Sequence, residues 1–509
     1  MAIGKERRGR VGQAVNVVIV MMDQLRADLL ASNGSVVDPM PFLDGRGGAR
    51  FRRAYTTSPL CVPARESLLT GRFPTAHRVL QNSTGDCVVA TSDLVATLRD
   101  AGYRIGLSGK NHSHLKEVDF DHYVAFMHTG SIGGSRSDVE RAFDEWLDAL
   151  DHGVSPAATP FPVSAQLPFR IVSDAIEFVR GCEDAPFFLW LSFPEPHNPY
   201  QVPEPYFSLF GEDEVPERES DARALASKSD RWRWLGKLIE EKRPGYDGEW
   251  RRYRANYLGM LRLLDDQLRR FVDELERQGK AEQTMIVVVA DHGDFVAEYG
   301  LQRKGVGLPE CLVRIPMVFW GPRIAEKTFE SEFVSLADVF PTICEALGLD
   351  VPLGVQGRSL WPLVSGGEYP DGEFVSIFAE GGYGGVHYNV DERPPLHFSY
   401  SGPTFDELNS VTQSGKLKMV RLGQWKVIAD SVGNVELYDL AVDPLELHDL
   451  SARPEYVEIK ATLLQELVRW TIRAEDDLPQ GAYVPKTAPH NWWSAAVGTQ
   501  HSRGDSQQE

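Results

Sequence analysis

The sequence predicts an α/β protein with a large, mostly parallel central sheet flanked by helices, followed by a smaller α+β region. Four apolar runs carry this prediction, because parallel strands buried on both faces read as near-continuous apolar segments. The runs occupy residues 15–22, 103–108, 187–193 and 285–290. Helical stretches separate them, and strands that alternate with helices are typical of a parallel sheet.

The helical stretches differ in how clearly the sequence marks them. Residues 253–279 carry apolar side chains three and four positions apart, as an amphipathic helix does, at Leu261, Leu264, Leu268, Phe271 and Leu275. Residues 93–101 predict a shorter helix, and residues 336–342 begin the last helix of the main domain. Residues 205–250 are rich in charge and Trp without a clear period, so we expect a surface excursion that forms the wall of a pocket.

A boundary is expected near residue 365, where Ser365-Gly366-Gly367 interrupts the pattern. The prediction is a main α/β domain over 1–365, a C-terminal α+β subdomain over 366–478 and a polar tail over 479–509. Within the subdomain, the sequence indicates short strands at 418–429 and 436–440 and a terminal helix at 454–473. The segment 381–414 is rich in Gly and Pro, as is typical of a lid.

Composition limits the function. The 509 residues are 42% hydrophobic and 25% charged, which is ordinary for a globular protein. The net charge of −20 argues against a nucleic-acid partner, and it requires any anion site to be built from local positive groups. The five cysteines are odd in number and form no CxxC pair, so we expect neither a disulfide framework nor a structural zinc, and a reducing compartment.

The N-terminal region loosely imitates a signal peptide, with basic residues at 5–10 before the apolar run. That run is short, contains Asn16 and leads into Asp23 without a small-residue cleavage site, so it predicts the first core strand instead. No stretch approaches the roughly 20 apolar residues of a membrane span. We therefore expect no membrane partner and a cytoplasmic location.

Polar clusters follow all four apolar runs. Ligands of such sheets bind beyond the carboxyl ends of the strands, so clusters far apart in sequence are expected to meet at one site. The clusters are Asp23-Gln24, Gly109-Lys110-Asn111-His112, Glu195-Pro196-His197 and Asp291-His292-Gly293-Asp294.

The segment Cys61-Val62-Pro63-Ala64-Arg65 is the most informative motif. Pro63 suits the first turn of a helix, which places Cys61 at a helix N-terminus, where free N–H groups and the dipole favour an anion. A Cys with Pro two residues on and Arg two beyond resembles the segment that is oxidised to formylglycine in type I sulfatases. The resemblance extends from Asp23 to about Asp449.

This resemblance implies an alkaline-phosphatase-like fold with a C-terminal antiparallel sheet and packed helix. It also implies hydrolysis of an organic sulfate monoester. In the implied cycle, the hydrated aldehyde made from Cys61 attacks sulfur and the alcohol leaves with a proton. His112 then helps to expel sulfate and regenerate the aldehyde.

The resemblance also implies a metal site. Its ligands would be Asp23, Gln24, Asp291 and His292, with the formylglycine oxygen from Cys61. Carboxylate oxygens favour Ca²⁺, with Mg²⁺ as an alternative, and His292 leaves room for Mn²⁺. Gln24 is a departure, since the common family pattern has a second Asp there.

The remaining roles come from the same resemblance. Arg65 would neutralise the hydrated aldehyde, Lys110 would contact it and the sulfate, and His112 would accept its proton. His197 would bind sulfate or protonate the leaving alcohol, and Lys304 would contact sulfate and the leaving oxygen. His114 is next in register after His112 and is a candidate for shaping specificity.

Three alternatives stay open at this point. A phosphonate monoester or phosphodiester hydrolase on the same fold fits Asp23-Gln24, although relatives of that kind tend to replace the Lys110–His112 pair with hydroxyl residues. A non-catalytic binder of sulfated ligands would keep Cys61 as a thiol. An alkaline-phosphatase-like metal phosphatase would need more metal ligands than the sequence supplies. The expected partners are a small-molecule or carbohydrate sulfate ester and the formylglycine-generating enzyme.

Overall fold

A computed structural model describes residues 15–82, 87–183, 185–370, 372–394 and 411–478. The predicted tail at 479–509 lies outside these residues, and so do residues 395–410 of the predicted lid at 381–414. The main sheet has nine strands in the order β5-β4-β3-β6-β1-β7-β8-β2-β9. They are β1 Asn16–Asp23, β2 Ala49–Tyr55, β3 Arg104–Gly109, β4 His122–Met127, β5 Gly130–Ser131, β6 Phe187–Pro196, β7 Thr284–Ala290, β8 Arg314–Trp320 and β9 Lys327–Ser335.

The centre of this sheet is parallel. Strand β1 pairs in parallel with β6 and β7, and β3 pairs in parallel with β6 and β4. Strand β8 runs antiparallel to both of its neighbours, β7 and β2. The four predicted apolar runs correspond to β1, β3, β6 and β7, and β1, β6 and β7 are buried along their whole length. The α/β prediction with a mostly parallel sheet is confirmed.

Helices flank the sheet. In the main part of the chain they are α1 Pro41–Gly45, α2 Cys61–Thr70, α3 Pro74–His77, α4 Leu94–Asp100, α5 Asp138–Leu150, α6 Leu167–Gly181, α7 Tyr206–Leu209, α8 Asp230–Lys242, α9 Trp250–Arg277, α10 Glu310–Val313, α11 Val339–Leu347 and α12 Trp361–Val364. The predicted helix at 253–279 is α9, and its apolar stripe faces the core. Among the described residues, none of the helices combines the length and apolar character needed to cross a bilayer.

The expectation of an irregular excursion at 205–250 was incomplete. Helix α8 lies within it and buries Trp232, Trp234, Leu235, Leu238 and Ile239. The apolar pattern of this helix is interrupted by Arg231, which is buried together with the apolar residues. Its guanidinium lies 3.6 Å from Asp430 of the C-terminal sheet. A charged residue in a buried position made the helical period hard to recognise from the sequence.

A separate antiparallel sheet of four strands follows, in the order β10-β11-β12-β13. Its strands are β10 Ser376–Gly381, β11 Leu417–Leu422, β12 Trp425–Asp430 and β13 Val435–Asp439, and α13 Val457–Glu475 packs on it. The strand region predicted at 418–429 is thus the hairpin of β11 and β12. Trp470 and Leu467 of α13 enter the same apolar cluster as Val420 and Val427 of this sheet.

Candidate active site

The predicted polar clusters come together because β3, β6, β1 and β7 are consecutive neighbours in the sheet. Their carboxyl ends lie at matching heights, since Gly109 pairs with Ser192 and Met22 pairs with Ala290. At the end of each of these four strands, the chain continues into one of the polar clusters. Residues that are far apart in sequence therefore contact each other, as Gln24 and Asp294 do across 270 positions.

Helix α2 delivers Cys61 to this edge. The helix begins at Cys61 after an extended Leu60, which confirms the predicted helix N-terminus. The Cys61 side chain is buried, with Sγ 3.7 Å from Asp23 Oδ1 and 3.3 Å from His292 Nε2. Burial and Asp23 raise the pKa of the Cys61 thiol, but Lys110, Lys304 and His292 outweigh them and hold it well below its ordinary value.

Asp23, Cys61, Asp291 and His292 form a group that can hold a metal ion, with one ligand atom from each lying within 4.8 Å of the others. The donor set suits a hard divalent cation, because two carboxylates dominate it. His292 Nδ1 donates to Gly293 O at 2.8 Å, which leaves Nε2 as the free lone pair facing the group. The residues therefore fit a divalent ion.

Gln24 lies beside this group with its backbone in the left-handed region, at φ 68°. Its amide nitrogen donates to Asp294 Oδ2 at 2.7 Å, and its side-chain oxygen accepts a hydrogen bond from Lys304. Tyr257 fixes the backbone by donating to Gln24 O at 2.6 Å. Asp294 in turn accepts from Tyr200 at 2.7 Å, so it acts as a support for Gln24.

Arg65 is fully buried between the two carboxylates. Its Nε donates to Asp291 Oδ2 at 3.0 Å and its Nη2 to Asp23 Oδ2 at 3.3 Å, while Nη1 donates to Lys110 O at 2.9 Å. Burial disfavours the charge, but Asp291 and Asp23 raise the pKa of Arg65 above its ordinary value. The guanidinium thus ties β1, β7 and the segment after β3 together.

Lys110 and Lys304 are also buried, so neither is a solvated surface cation. Lys110 Nζ donates to Asp23 Oδ2. Burial raises the pKa of Asp23, yet Lys110, Lys304 and Arg65 together hold it well below its ordinary value. The site therefore concentrates three cations around two carboxylates.

Imidazoles line the other side of Lys110. His112 has a left-handed backbone, at φ 48°, and its buried Nδ1 has no hydrogen-bond partner among the described residues. Burial and Lys110 lower the pKa of His112, while its contact with the Cys61 side chain raises it, and the net shift is downward. His197 is buried, and burial followed by His128 lowers its pKa well below the ordinary value.

His128 belongs to the site although sequence reasoning missed it. Its Nε2 lies 2.9 Å from Lys110 Nζ, and its ring stacks on His197 with centroids 3.6 Å apart. His128 directly follows β4, so the rule that located the other clusters also applies to it. The strand itself was not recognised, because the segment His122-Tyr123-Val124-Ala125-Phe126-Met127 is only partly apolar and half-buried.

A separate cavity lies elsewhere on the molecule. It has a volume of about 380 Å³ and opens between the segment after β1, β8 and the C-terminal subdomain. Its lining includes Arg26, Glu298, Cys311, Arg314 and Leu445, and none of the predicted site residues. The predicted site residues gather instead at the carboxyl edge of the parallel strands.

Comparison with known proteins agrees with this geometry. The sulfatase family profile matches residues 15–349. The chain is 26% identical to an arylsulfatase of Clostridium perfringens over 496 residues, covering 89% of this chain and 94% of that protein. Among solved structures, phosphonate monoester hydrolase of Agrobacterium radiobacter has a TM-score of 0.74 at 23% identity, covering 90% of this chain and 96% of that chain.

A further solved structure is BT4656 in complex with its substrate D-glucosamine-2-N,6-O-disulfate. It has a TM-score of 0.68 at 18% identity, covering 92% of this chain and all of that chain (100%). These structures share the fold of the present chain. Because the family match spans more than half of the sequence and includes every strand of the main sheet, the chain belongs to the sulfatase family.

Proposed function

We propose that the protein hydrolyses an organic sulfate monoester, R–O–SO₃⁻ plus water giving R–OH, sulfate and a proton, at the site around Cys61. One observation carries the proposal. Cys61 begins a buried helix within reach of Asp23 and His292, in a pocket that also concentrates Arg65, Lys110 and Lys304. The anionic sulfate group of such an ester, and the charge that develops as the alcohol leaves, require this kind of local positive field.

We assign the nucleophile to residue 61 after oxidation of its thiol. As formylglycine, this residue supplies a hydrated aldehyde whose hydroxyl attacks sulfur. Conversion requires a formylglycine-generating enzyme as a maturation partner. A divalent ion held by Asp23, Asp291, His292 and residue 61, with Gln24 alongside, would polarise oxygens of the nucleophile and the sulfate; we propose Ca²⁺, with Mg²⁺ and Mn²⁺ as alternatives.

The protein's own residues then handle charge and protons. Lys110 and Lys304 contact the sulfate oxygens, while Arg65 helps to keep Asp23 ionised and orients both Asp23 and Asp291. His112, whose lowered pKa keeps it neutral, is the base that accepts a proton from residue 61. His197 is proposed to bind the sulfate or to protonate the leaving alcohol; for the second role its ring, neutral in the empty site, takes up a proton when the anionic ester raises its pKa.

The substrate class is a sulfated sugar or a small sulfate ester. An observation also supports the phosphonate alternative, since the solved phosphonate monoester hydrolase has the same fold and Gln24 departs from the common sulfatase pattern. Lys110 and His112, both present at the site, favour the sulfate ester.

The test is a parallel assay of protein that has been co-expressed with the maturing oxidase. Sulfate release from sulfated sugars, choline-type sulfates and aryl sulfates is compared with hydrolysis of a phenyl phosphonate ester. We expect a sulfate ester to have the highest kcat/KM, and Cys61→Ala to release none. Faster phosphonate turnover would replace the proposal with its alternative.

A further inference from the structure

Glu66 is a buried carboxylate that the proposed reaction does not use. It follows Arg65 on α2, and its side chain is 0% exposed. A buried charge is costly unless it is paired and hydrogen-bonded. Both oxygens of Glu66 meet His114: Oε1 accepts from the His114 backbone N–H at 2.6 Å, and Oε2 lies 2.6 Å from His114 Nδ1.

The second ring nitrogen of His114 faces another carboxylate. His114 Nε2 lies 3.3 Å from Asp93 Oδ2, while Asp93 Oδ1 accepts from Ala96 N at 2.8 Å and so caps α4. Ionised carboxylates only accept hydrogen bonds, so both ring nitrogens of His114 donate and the ring is an imidazolium. Burial disfavours this charge, but Asp93 and Glu66 outweigh it and raise the pKa of His114 to about 10.

His114 ends the short segment that follows β3 and carries Lys110 and His112. The start of this segment is held by Arg65, which donates to Lys110 O at 2.9 Å. In the middle of the segment, the backbone of His112 lies in the left-handed region. This conformation costs free energy in a residue other than glycine, so the surrounding structure must stabilise it. The contacts of His114 with Glu66 and Asp93 attach its far end to α2 and to the start of α4.

We propose that His114 and Glu66 are a positioning pair that holds Lys110 and His112 against residue 61, with Asp93 keeping the imidazole of His114 charged. This inference rests on the proposed function, because it takes Lys110 and His112 as parts of the catalytic machinery. The pair acts through these residues and does not touch the sulfate. Its loss therefore lowers kcat more than it changes KM.

The proposal has a defined pH dependence. The groups that face His114 are Glu66 from α2, Asp93 before α4, and His77 from α3, whose pKa is lowered to about 3 chiefly by burial and Arg72, so that it is neutral. A histidine with a raised folded-state pKa contributes stability fully below its unfolded pKa of about 6.5. That contribution is lost as the pH rises through about 10.

The experiment compares His114→Gln and Asp93→Asn with His122→Gln as the matched control. His122 also pairs with a carboxylate, with Nε2 3.0 Å from both oxygens of Asp174, but it lies at the opposite end of β4 from His128. Turnover of 4-nitrophenyl sulfate and thermal unfolding are measured across pH. Asn caps helices as well as Asp, so Asp93→Asn keeps α4 capped.

We expect His114→Gln to lower kcat by about ten- to a hundredfold, the cost of a misplacement near 1 Å, with KM within a few-fold of wild type. Asp93→Asn should move the alkaline limb of kcat to lower pH, and His122→Gln should match wild type. A folded His114→Gln protein with wild-type kcat, or an unmoved alkaline limb in Asp93→Asn, overturns the proposal.

The positioning role of His114 and Glu66 can be tested even if the proposed sulfate-ester function is wrong. If wild type hydrolyses only a phosphonate ester, the same variants are assayed on that ester, because the segment after β3 serves either substrate. Nitrogen-15 NMR of wild-type His114 needs no substrate. Between pH values of about 6.5 and about 10, both ring nitrogens should be protonated; a neutral ring in that range contradicts the pair.

Discussion

The charges around residue 61 explain how an acidic protein can hold an anion. The chain has a net charge of −20, yet Arg65, Lys110 and Lys304 are buried together beside Asp23 and Asp291. In a pocket shielded from water these local charges outweigh the distant surface field. Removing Arg65 would leave the buried Asp291 without its guanidinium partner, so this cation holds the site together as well as serving the proposed catalysis.

The first prediction concerns the metal ligands. Ca²⁺ in excess should stabilise the folded wild-type protein and so raise its Tm. At a Ca²⁺ concentration of a hundred times Kd, the gain in the free energy of unfolding should be about 2.7 kcal/mol. Asp291→Asn should lose this increase, because it removes one of two carboxylates from the group. Calorimetry with Ca²⁺ and with a chelator makes the measurement. Asp174→Asn serves as the control, because Asp174 pairs with His122 away from the site. A wild-type Tm that does not change when Ca²⁺ is added would contradict the metal assignment.

A second prediction concerns His128. His128→Asn should lower kcat by about tenfold or more, because it removes the ring that stacks on His197 and the acceptor for Lys110 Nζ. The loss should grow as the leaving alcohol becomes less acidic, since poor leaving groups depend most on a proton donor. Aryl sulfates of graded phenol pKa provide the series. Equal loss for every ester would show that His128 does not support proton transfer.

At the scale of elements, the sequence predicted the strands that are buried on both faces. β1, β6 and β7 read as apolar runs because helices cover both sides of the sheet. β2 was missed because its segment Ala49-Arg50-Phe51-Arg52-Arg53-Ala54-Tyr55 carries three arginines. It lies towards the edge of the sheet, between the antiparallel β8 and the edge strand β9.

The candidate site was predictable to the same extent as its strands. Every predicted site residue follows a recognised apolar run or belongs to the Cys61 and Lys304 segments. His128 was missed with β4, and the His114–Glu66 contact joins residues 48 positions apart that no local pattern relates. This contact forms because α2 packs against the segment after β3, and that tertiary packing cannot be inferred from a local sequence pattern.

A third prediction tests the junction of β3 and β6. A Cβ at Gly109 would lie 1.8 Å from Ser192 O, and its φ is +118°. Gly109→Ala should therefore displace Lys110, whose N–H donates to Ser192 O at 2.7 Å, and reduce kcat severely. Gly102→Ala is the matched control, with φ +89° and no atom within 4 Å of the added Cβ. Equal kcat in the two variants would argue against this coupling.

At the scale of the whole molecule, a buried ionic cluster joins the two sheets. Lys426 of β12 lies 3.1 Å from Glu310 of α10 and 2.8 Å from Glu446, and Arg421 of β11 lies 2.6 Å from Glu310. Tyr55 at the end of β2 donates to Glu310 at 2.7 Å. The C-terminal subdomain is thereby fixed to the strand that leads towards Cys61.

The fourth prediction follows from this cluster. Lys426→Met should destabilise the protein by about 3–5 kcal/mol, because it leaves Glu310 and Glu446 buried with too few partners. Lys418→Met, which removes the outer pair with Glu475, should cost about 0–1 kcal/mol. Chemical denaturation measures both. Similar losses in the two variants would show that the cluster does not fasten the subdomain.

The most direct test of the whole account is the mass of the peptide that contains residue 61, measured alongside specific activity. Protein co-expressed with the maturing oxidase should carry the aldehyde in place of the thiol, and sulfate release should rise in proportion to the aldehyde fraction. Full sulfate release from protein whose residue 61 is entirely thiol, or none from protein fully converted to aldehyde, would contradict the account.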